Sequence, residues 1–177
     1  MIAGRADAAA EPTGFREFVE IQSRSLLRAA WLLTGDWGSA EDLVQTALVV
    51  AWSHWSTLTR PDAPQLYVRR VMLRTFLRWR SRRWNGEIVT ELPDLSDGHD
   101  PIDAVELRQS VHVVLAALPP RQRAVVVLRY FLDLTETQTA DVVGCSVGSV
   151  KKHAARALAT LRQSPGLAEI MSGGVTS

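Results

Sequence analysis

An all-α protein of two small helical halves is what this sequence predicts, and three observations predict it. Apolar residues recur at three- and four-residue spacing through most of the chain. Thr135 and Gln138 form a Thr-x-x-Gln capping box, followed by Gly144 and Ser146 at the spacing of two short helices joined by a tight turn. Between the halves, residues 85–103 lose the apolar period and fill with Asn, Gly, Pro and acids, as a linker does.

Each element follows in order. Residues 1–13 are rich in Ala and read as a loose tail. Phe15, Phe18, Val19, Leu26, Ala30 and Leu33 share one face of a first helix, which Thr34-Gly35-Asp36 ends. Ser39 is the expected cap of a second helix reaching about Trp55. Its inner stripe is Leu43, Ala47, Val50 and Ala51, while Asp42, Gln45 and Val49 project from another face. Residues 56–65 hold two prolines and read as a loop. A third helix over Leu66–Trp84 turns Val68, Met72, Phe76 and Trp79 to one side and Arg70, Arg74 and Arg78 to another, with Tyr67 beside them. This completes a first domain, 14–84.

The second domain spans 104–164. Ala104–Leu118 is helical in pattern, and Pro119-Pro120 stop that helix and start the next. Residues 121–132 carry a Val-rich run with strand propensity. Their helical neighbours and the flanking Arg121 and Arg123, in place of hairpin turns, favour helix. Two further helices are expected at about 135–143 and 147–163, then a frayed tail, 165–177.

Net charge over the 177 residues is only +1, but its distribution is uneven. Eighteen of the 20 basic residues are Arg; the two lysines are Lys151 and Lys152. Seven Arg and no acid fall between Tyr67 and Trp84, and seven acids with no Lys or Arg fall between Glu87 and Glu106. Such blocks mark interaction surfaces. The one cysteine, Cys145, excludes an intramolecular disulfide and reads as a small residue packed in the turn. No apolar run approaches the roughly 20 residues that span a bilayer, and the first ten residues lack a signal peptide's apolar core. A cytoplasmic protein with no membrane insertion is expected. His54, His99, His112 and His153 are scattered without metal-ligand spacing, and the sequence has no His-Glu-x-x-His, phosphate-binding or dinucleotide-binding glycine motif. No enzymatic activity, cofactor or metal is expected.

The last helix divides cleanly. Val147, Val150, Ala154, Ala157, Leu158 and Leu161 face inward; Ser149, Lys152 and Arg156 face outward with Lys151 close by, and no acid occurs from Ser146 to Arg162. Donors outward without acids suit the DNA major groove, although an ordinary amphipathic surface helix has the same period. On the third helix, Arg70, Arg74 and Arg78 repel one another by a few tenths of a kcal/mol per pair. A polyanion relieves that, and phosphate accepts Arg bidentately. The rival is the acidic linker folding back on the Arg face. Tyr67 and the nearby tryptophans offer stacking surface for unpaired bases; Trp52 and Trp79 fit a core role better.

With these motifs in hand, the chain over residues 15–163 resembles the bacterial sigma factors of the extracytoplasmic-function group, in the reduced form with regions two and four alone. Ala40-Glu41-Asp42-Leu43-Val44-Gln45-Thr46 is similar to the segment that ends region 2.1 and begins 2.2. Tyr67-Val68-Arg69-Arg70-Val71 is similar to the start of region 2.4. Leu118-Pro119-Pro120-Arg121-Gln122-Arg123 and Val147-Gly148-Ser149-Val150-Lys151 are similar to region four. The resemblance implies core RNA polymerase and promoter DNA as partners. Asp42, Gln45 and Val49 would touch the polymerase's largest subunit, and the 56–65 loop would hold a flipped base. Tyr67, Arg70, Arg74, Thr75 and Arg78 would lie along the downstream promoter element. Ser149, Lys151, Lys152 and Arg156 would read the upstream element, and the acidic linker would thread the polymerase cleft. Arg74 stands where the family usually has Asn, Tyr67 where Trp is common, Lys152 where Ser is frequent and Ser149 where Thr is frequent. Members are often held by an anti-sigma protein, which no residue here identifies. The alternative is a helix-turn-helix regulator acting as a dimer without polymerase. In either case the chemistry is binding.

Overall fold

Helix α1, Phe15–Thr34, leaves Gly14 and ends at Gly35, which takes φ +81° and donates its N–H to the Trp31 carbonyl. In this computed structural model, residues 12–58, 60, 62–84 and 111–164 are described, with backbone alone for 82–84. The linker between the halves and both tails expected from the sequence lie largely outside those residues. Every regular element among the described residues is helical.

Helix α2, Trp37–His54, starts earlier than expected. Asp36, not Ser39, is its cap: the Asp36 carboxylate accepts the Ser39 N–H at 2.6 Å. The extended backbone of Asp36, directly after the left-handed Gly35, aims a carboxylate at the free N–H groups of the first turn. A 3₁₀ turn, Trp55–Thr57, follows. Helix α3 spans Ala63–Trp84, three residues longer at its start than the apolar period implied, because Pro64 is tolerated in a first turn. On α2, Val44 replaces Val50 in the buried stripe with Leu43, Ala47 and Ala51.

These three helices pack on one another, with Phe76, Leu26, Leu43, Met72 and Leu73 fully buried between them. The tryptophans serve this packing. Phe15 meets Trp52 and Trp55 edge-on, each at 4.9 Å between ring centroids, and the Trp55 indole N–H donates to the Thr13 carbonyl at 3.0 Å.

The second half begins in the described residues with the helical stretch 111–116, called α4. Pro120 opens α5, Pro120–Val126, at its first helical position. The Val-rich run is helical as expected, but its continuation, Val127–Phe131, widens into a π turn closed by the Leu132 N–H on the Val127 carbonyl. Helix α6, Glu136–Val143, carries the complete capping box: Gln138 N–H to Thr135 Oγ1 at 3.1 Å, and Thr135 N–H to Gln138 Oε1 at 2.9 Å. It ends at Gly144, φ +73°. Helix α7, Val147–Arg162, is capped by Ser146, whose hydroxyl accepts the Ser149 N–H at 3.1 Å.

The two halves share one core. Leu115, Leu118, Leu128, Leu134 and Val142 of the second half belong to the same buried cluster as Leu26, Leu43 and Phe76 of the first.

Candidate nucleic-acid interface

The α7 surface is built by its cap and its inner face. Val150 and Ala157 are fully buried and seat the helix on α5 and α6. The 3.6-residue period then turns Lys151, Lys152 and Arg156 outward, all exposed, with Ser149 half-buried in the first turn. Ser149 also bonds the Ser146 hydroxyl at 2.9 Å. Lys151 lies 3.5 Å from Glu136, an exposed pair that screening leaves weak. Cys145 is half-buried in the turn and free.

Along α3 the expected side chains separate. Arg74 and Arg78 are exposed, Arg70 and Tyr67 are half-buried, and Thr75 is only 4% exposed. Thr75 is therefore no part of the outward surface. It lies seven residues after Val68, two helical turns on, and packs on the inner side beside Met72 and Phe76. Arg69, which carries no role of its own in the sequence motif, is also buried, and burial pushes its guanidinium below the usual Arg range. Tyr67 packs at a tilt on His54, 5.7 Å between centroids.

Arg70 is not free. Its guanidinium pairs with the Asp141 carboxylate of α6. A cleft of about 340 Å³ opens beside this pair, between Leu58, Arg60, Asp62 and Tyr67 on one side and Thr137 and Gln138 on the other. The expected base-holding loop therefore faces the first helix of the helix-turn-helix. Asp42, Gln45 and Val49 stand together on the exposed side of α2, and Val49 is 68% exposed despite its apolar side chain.

Arg123, in the sequence a flank of the Val-rich run and part of a motif, is a buried basic group in the fold. It is 2% exposed. Nη1 donates to the Leu33 carbonyl at 2.7 Å, and Nη2 to the Ala116 carbonyl at 2.8 Å and more weakly to that of Leu118 at 3.5 Å. One guanidinium thus satisfies the ends of α1 and α4 together, where carbonyls lack helical partners and the helix dipole is negative. Burial, and then the charge of Arg80, lower its pKa to about 10. Beside it, His112 packs on Trp31 at 5.5 Å and sits over Gly35, where a Cβ would come within 1.9 Å of the imidazole.

No three His, Cys, Asp or Glu side chains cluster for a metal among the described residues. No described helix is long and apolar enough to cross a membrane.

Comparison with known proteins accounts for both halves. The Sigma-70 region 2 family matches residues 18–86 and the Sigma-70, region 4 family matches residues 108–161. The chain is 38% identical over 149 residues to the RNA polymerase sigma-E factor of Streptomyces coelicolor, covering 84% of each. It is 30% identical over 160 residues to the ECF RNA polymerase sigma factor SigL of Mycobacterium tuberculosis, covering 88% of this chain and 90% of that protein. In fold it resembles the sigma factor RpoE crystallised with the anti-sigma factor NepR from Bartonella quintana: the TM-score is 0.68 at 18% identity, over 91% of this chain and 98% of that one. The region 2 match leaves the reading of a stand-alone helix-turn-helix regulator without support. With a polymerase-type first half and a helix-turn-helix second half both matched, the chain belongs to the RNA polymerase sigma factors of the extracytoplasmic-function group.

Proposed function

We propose that this sigma factor, which directs transcription initiation, reads its promoter at two separated places through α3 and α7 while α2 rides on core polymerase. The observation that carries this reading is the acid-free outward face of α7, with Lys151, Lys152 and Arg156 exposed together. Phosphate contacts supply affinity and salt dependence, and base-edge contacts supply specificity. Ser149, Lys151, Lys152 and Arg156 face the upstream element. Tyr67, Arg74, Arg78 and, with its Asp141 partner exchanged for phosphate, Arg70 face the downstream element as it melts.

Melting proceeds by capture of unstacked bases, at a cost of a few kcal/mol each offset by contacts in the pocket. The segment from Leu58 to Tyr67 borders the cleft that would take such a base. Asp42, Gln45 and Val49 combine charge, amide and apolar surface in one exposed patch, suited to a protein partner. Core polymerase then holds both halves in register, so neither need bind DNA tightly alone. The protein acts in the cytoplasm, by binding without bond chemistry. An anti-sigma protein is a further partner, supported by the likeness to a sigma factor crystallised with one.

Run-off transcription with core polymerase on genomic fragments tests this. Start sites sharing two spaced elements are expected, with output dependent on the added protein. Lys152→Ala and Arg156→Ala should each weaken promoter recognition by about 1–3 kcal/mol if they meet base edges, and a phosphate contact should instead lower the salt slope by about one. Unchanged output and unchanged salt slope in both variants would remove α7 from promoter reading.

A further inference from the structure

Helix α1 carries an outer stripe of Glu17, Glu20, Ile21, Arg24 and Arg28, all exposed. At 3.6 residues per turn the five fall within one arc of about 100°. Both acids precede Ile21 and both arginines follow it. Among the described residues none of the four charges has an ion-pair partner, although Glu20 and Arg24 stand at i, i+4 spacing. Ile21 between them is 65% exposed. We propose that this stripe is the contact of a homodimer, in which α1 packs antiparallel on α1 of a second copy about a two-fold axis beside Gln22.

The order of the charges selects a second copy as the occupant. Turned end for end, the stripe is its own complement. Glu17 faces the second copy's Arg28 and Glu20 faces its Arg24, because both pairs are centred beside Gln22. The two-fold axis repeats each contact, so every charge of the stripe finds its opposite. A parallel register would set Glu on Glu and Arg on Arg, which repel. A purely acidic helix would answer Arg24 and Arg28 but would oppose Glu17 and Glu20.

Apolar surface lies where the antiparallel register covers it. A groove of about 370 Å³ runs beside Arg24 and Arg28, between α1 and the π turn, walled by Ile21, Leu32, Phe131 and Leu132. Phe131 is 48% exposed. The N-terminal half of the second α1 lies along this groove. The two Ile21 side chains meet next to the axis, each at the mouth of the other copy's groove. Removing this surface from water adds to the ion pairs. The contact is small, since Glu17 to Arg28 spans about 17 Å of helix, so the dimer is a transient one. It shares no residue with the exposed patch of α2 or the cationic face of α7.

Sedimentation velocity on the full chain over a concentration series reads the association. The parent should move from 19.6 kDa toward twice that mass with a midpoint on the order of 100 μM. Glu17→Lys with Glu20→Lys makes the stripe all basic, and Arg24→Glu with Arg28→Glu makes it all acidic. Each double variant alone should stay monomeric. An equimolar mixture should restore a 1:1 dimer, because every crossed pair is then opposite in sign. Ile21→Ser in both members should weaken that mixture about threefold or more. A parent that stays monomeric, or double variants that each still dimerise alone, would overturn the pairing. Association of the mixture that Ile21→Ser leaves unchanged would also overturn it, because charge attraction alone, without the packed stripe, would then account for the dimer.

Discussion

Arg123 is a cation held by three carbonyls with no carboxylate among its hydrogen-bond partners. Two effects oppose each other there. Burial penalises the charge, which is why its pKa falls to about 10. Removal, however, leaves helix-end carbonyls of α1 and α4 without donors, and breaking one side of a buried charged contact outweighs the relief. Arg123→Met should therefore cost about 1–3 kcal/mol, seen as a lower urea midpoint. His112 titrates against the same interface. Burial first, and Arg123 second, lower its pKa from the ordinary 6.5. The unfolded chain then binds the proton more readily than the folded one. Stability from this site is complete above about pH 6.5 and is lost as pH falls through the lower folded value. His112→Phe should flatten the fall in urea midpoint between neutral pH and pH ~5.

At the scale of elements, the helix-turn-helix is held by its ends more than by its length. Helix α6 has only eight residues, and both its caps are complete. Thr135→Ala opens the capping box and should cost about 1 kcal/mol, measured by chemical denaturation. Gly144 at φ +73° has open space around a notional Cβ, so Gly144→Ala carries backbone strain alone, about 1 kcal/mol. Much of this was legible beforehand: a Thr, a Gln three residues on, a Gly and a Ser at fixed offsets encode local hydrogen bonds. The π turn at Val127–Phe131 was not legible. Within that turn Val127 and Leu128 are buried and the turn packs on α1, while Tyr130 and Phe131 remain exposed, and no local sequence period encodes the widening. Ser39 reads as a cap from the sequence, and the fold places Asp36 there instead. Ser and Asp are both good caps, and only the left-handed Gly35 before Asp36 decides which carboxylate or hydroxyl faces the first turn.

At the scale of the whole molecule, the exposed patch of Asp42, Gln45 and Val49 and the cationic face of α7 point away from the core that joins the halves, whereas Arg70 of α3 pairs across them with Asp141. Val49 has no packing role that burial would explain, so Val49→Glu should leave the fold intact and weaken binding to core polymerase by about 2 kcal/mol. Competition between parent and variant for core polymerase, resolved on native gels, measures it. Unaltered competition would take α2 out of the docking surface.

The residues by themselves determined the helical class, the two-part organisation, the helix-turn-helix and the family, because each depends on short-range periods, caps and motifs written within a few turns. Tertiary structure alone decided that Arg70 meets Asp141, that Thr75 faces inward and that Arg123 bridges α1 to α4. Those contacts join positions far apart in sequence, or turn on which side of α3 the core lies. No local period specifies which distant partner a charged side chain meets.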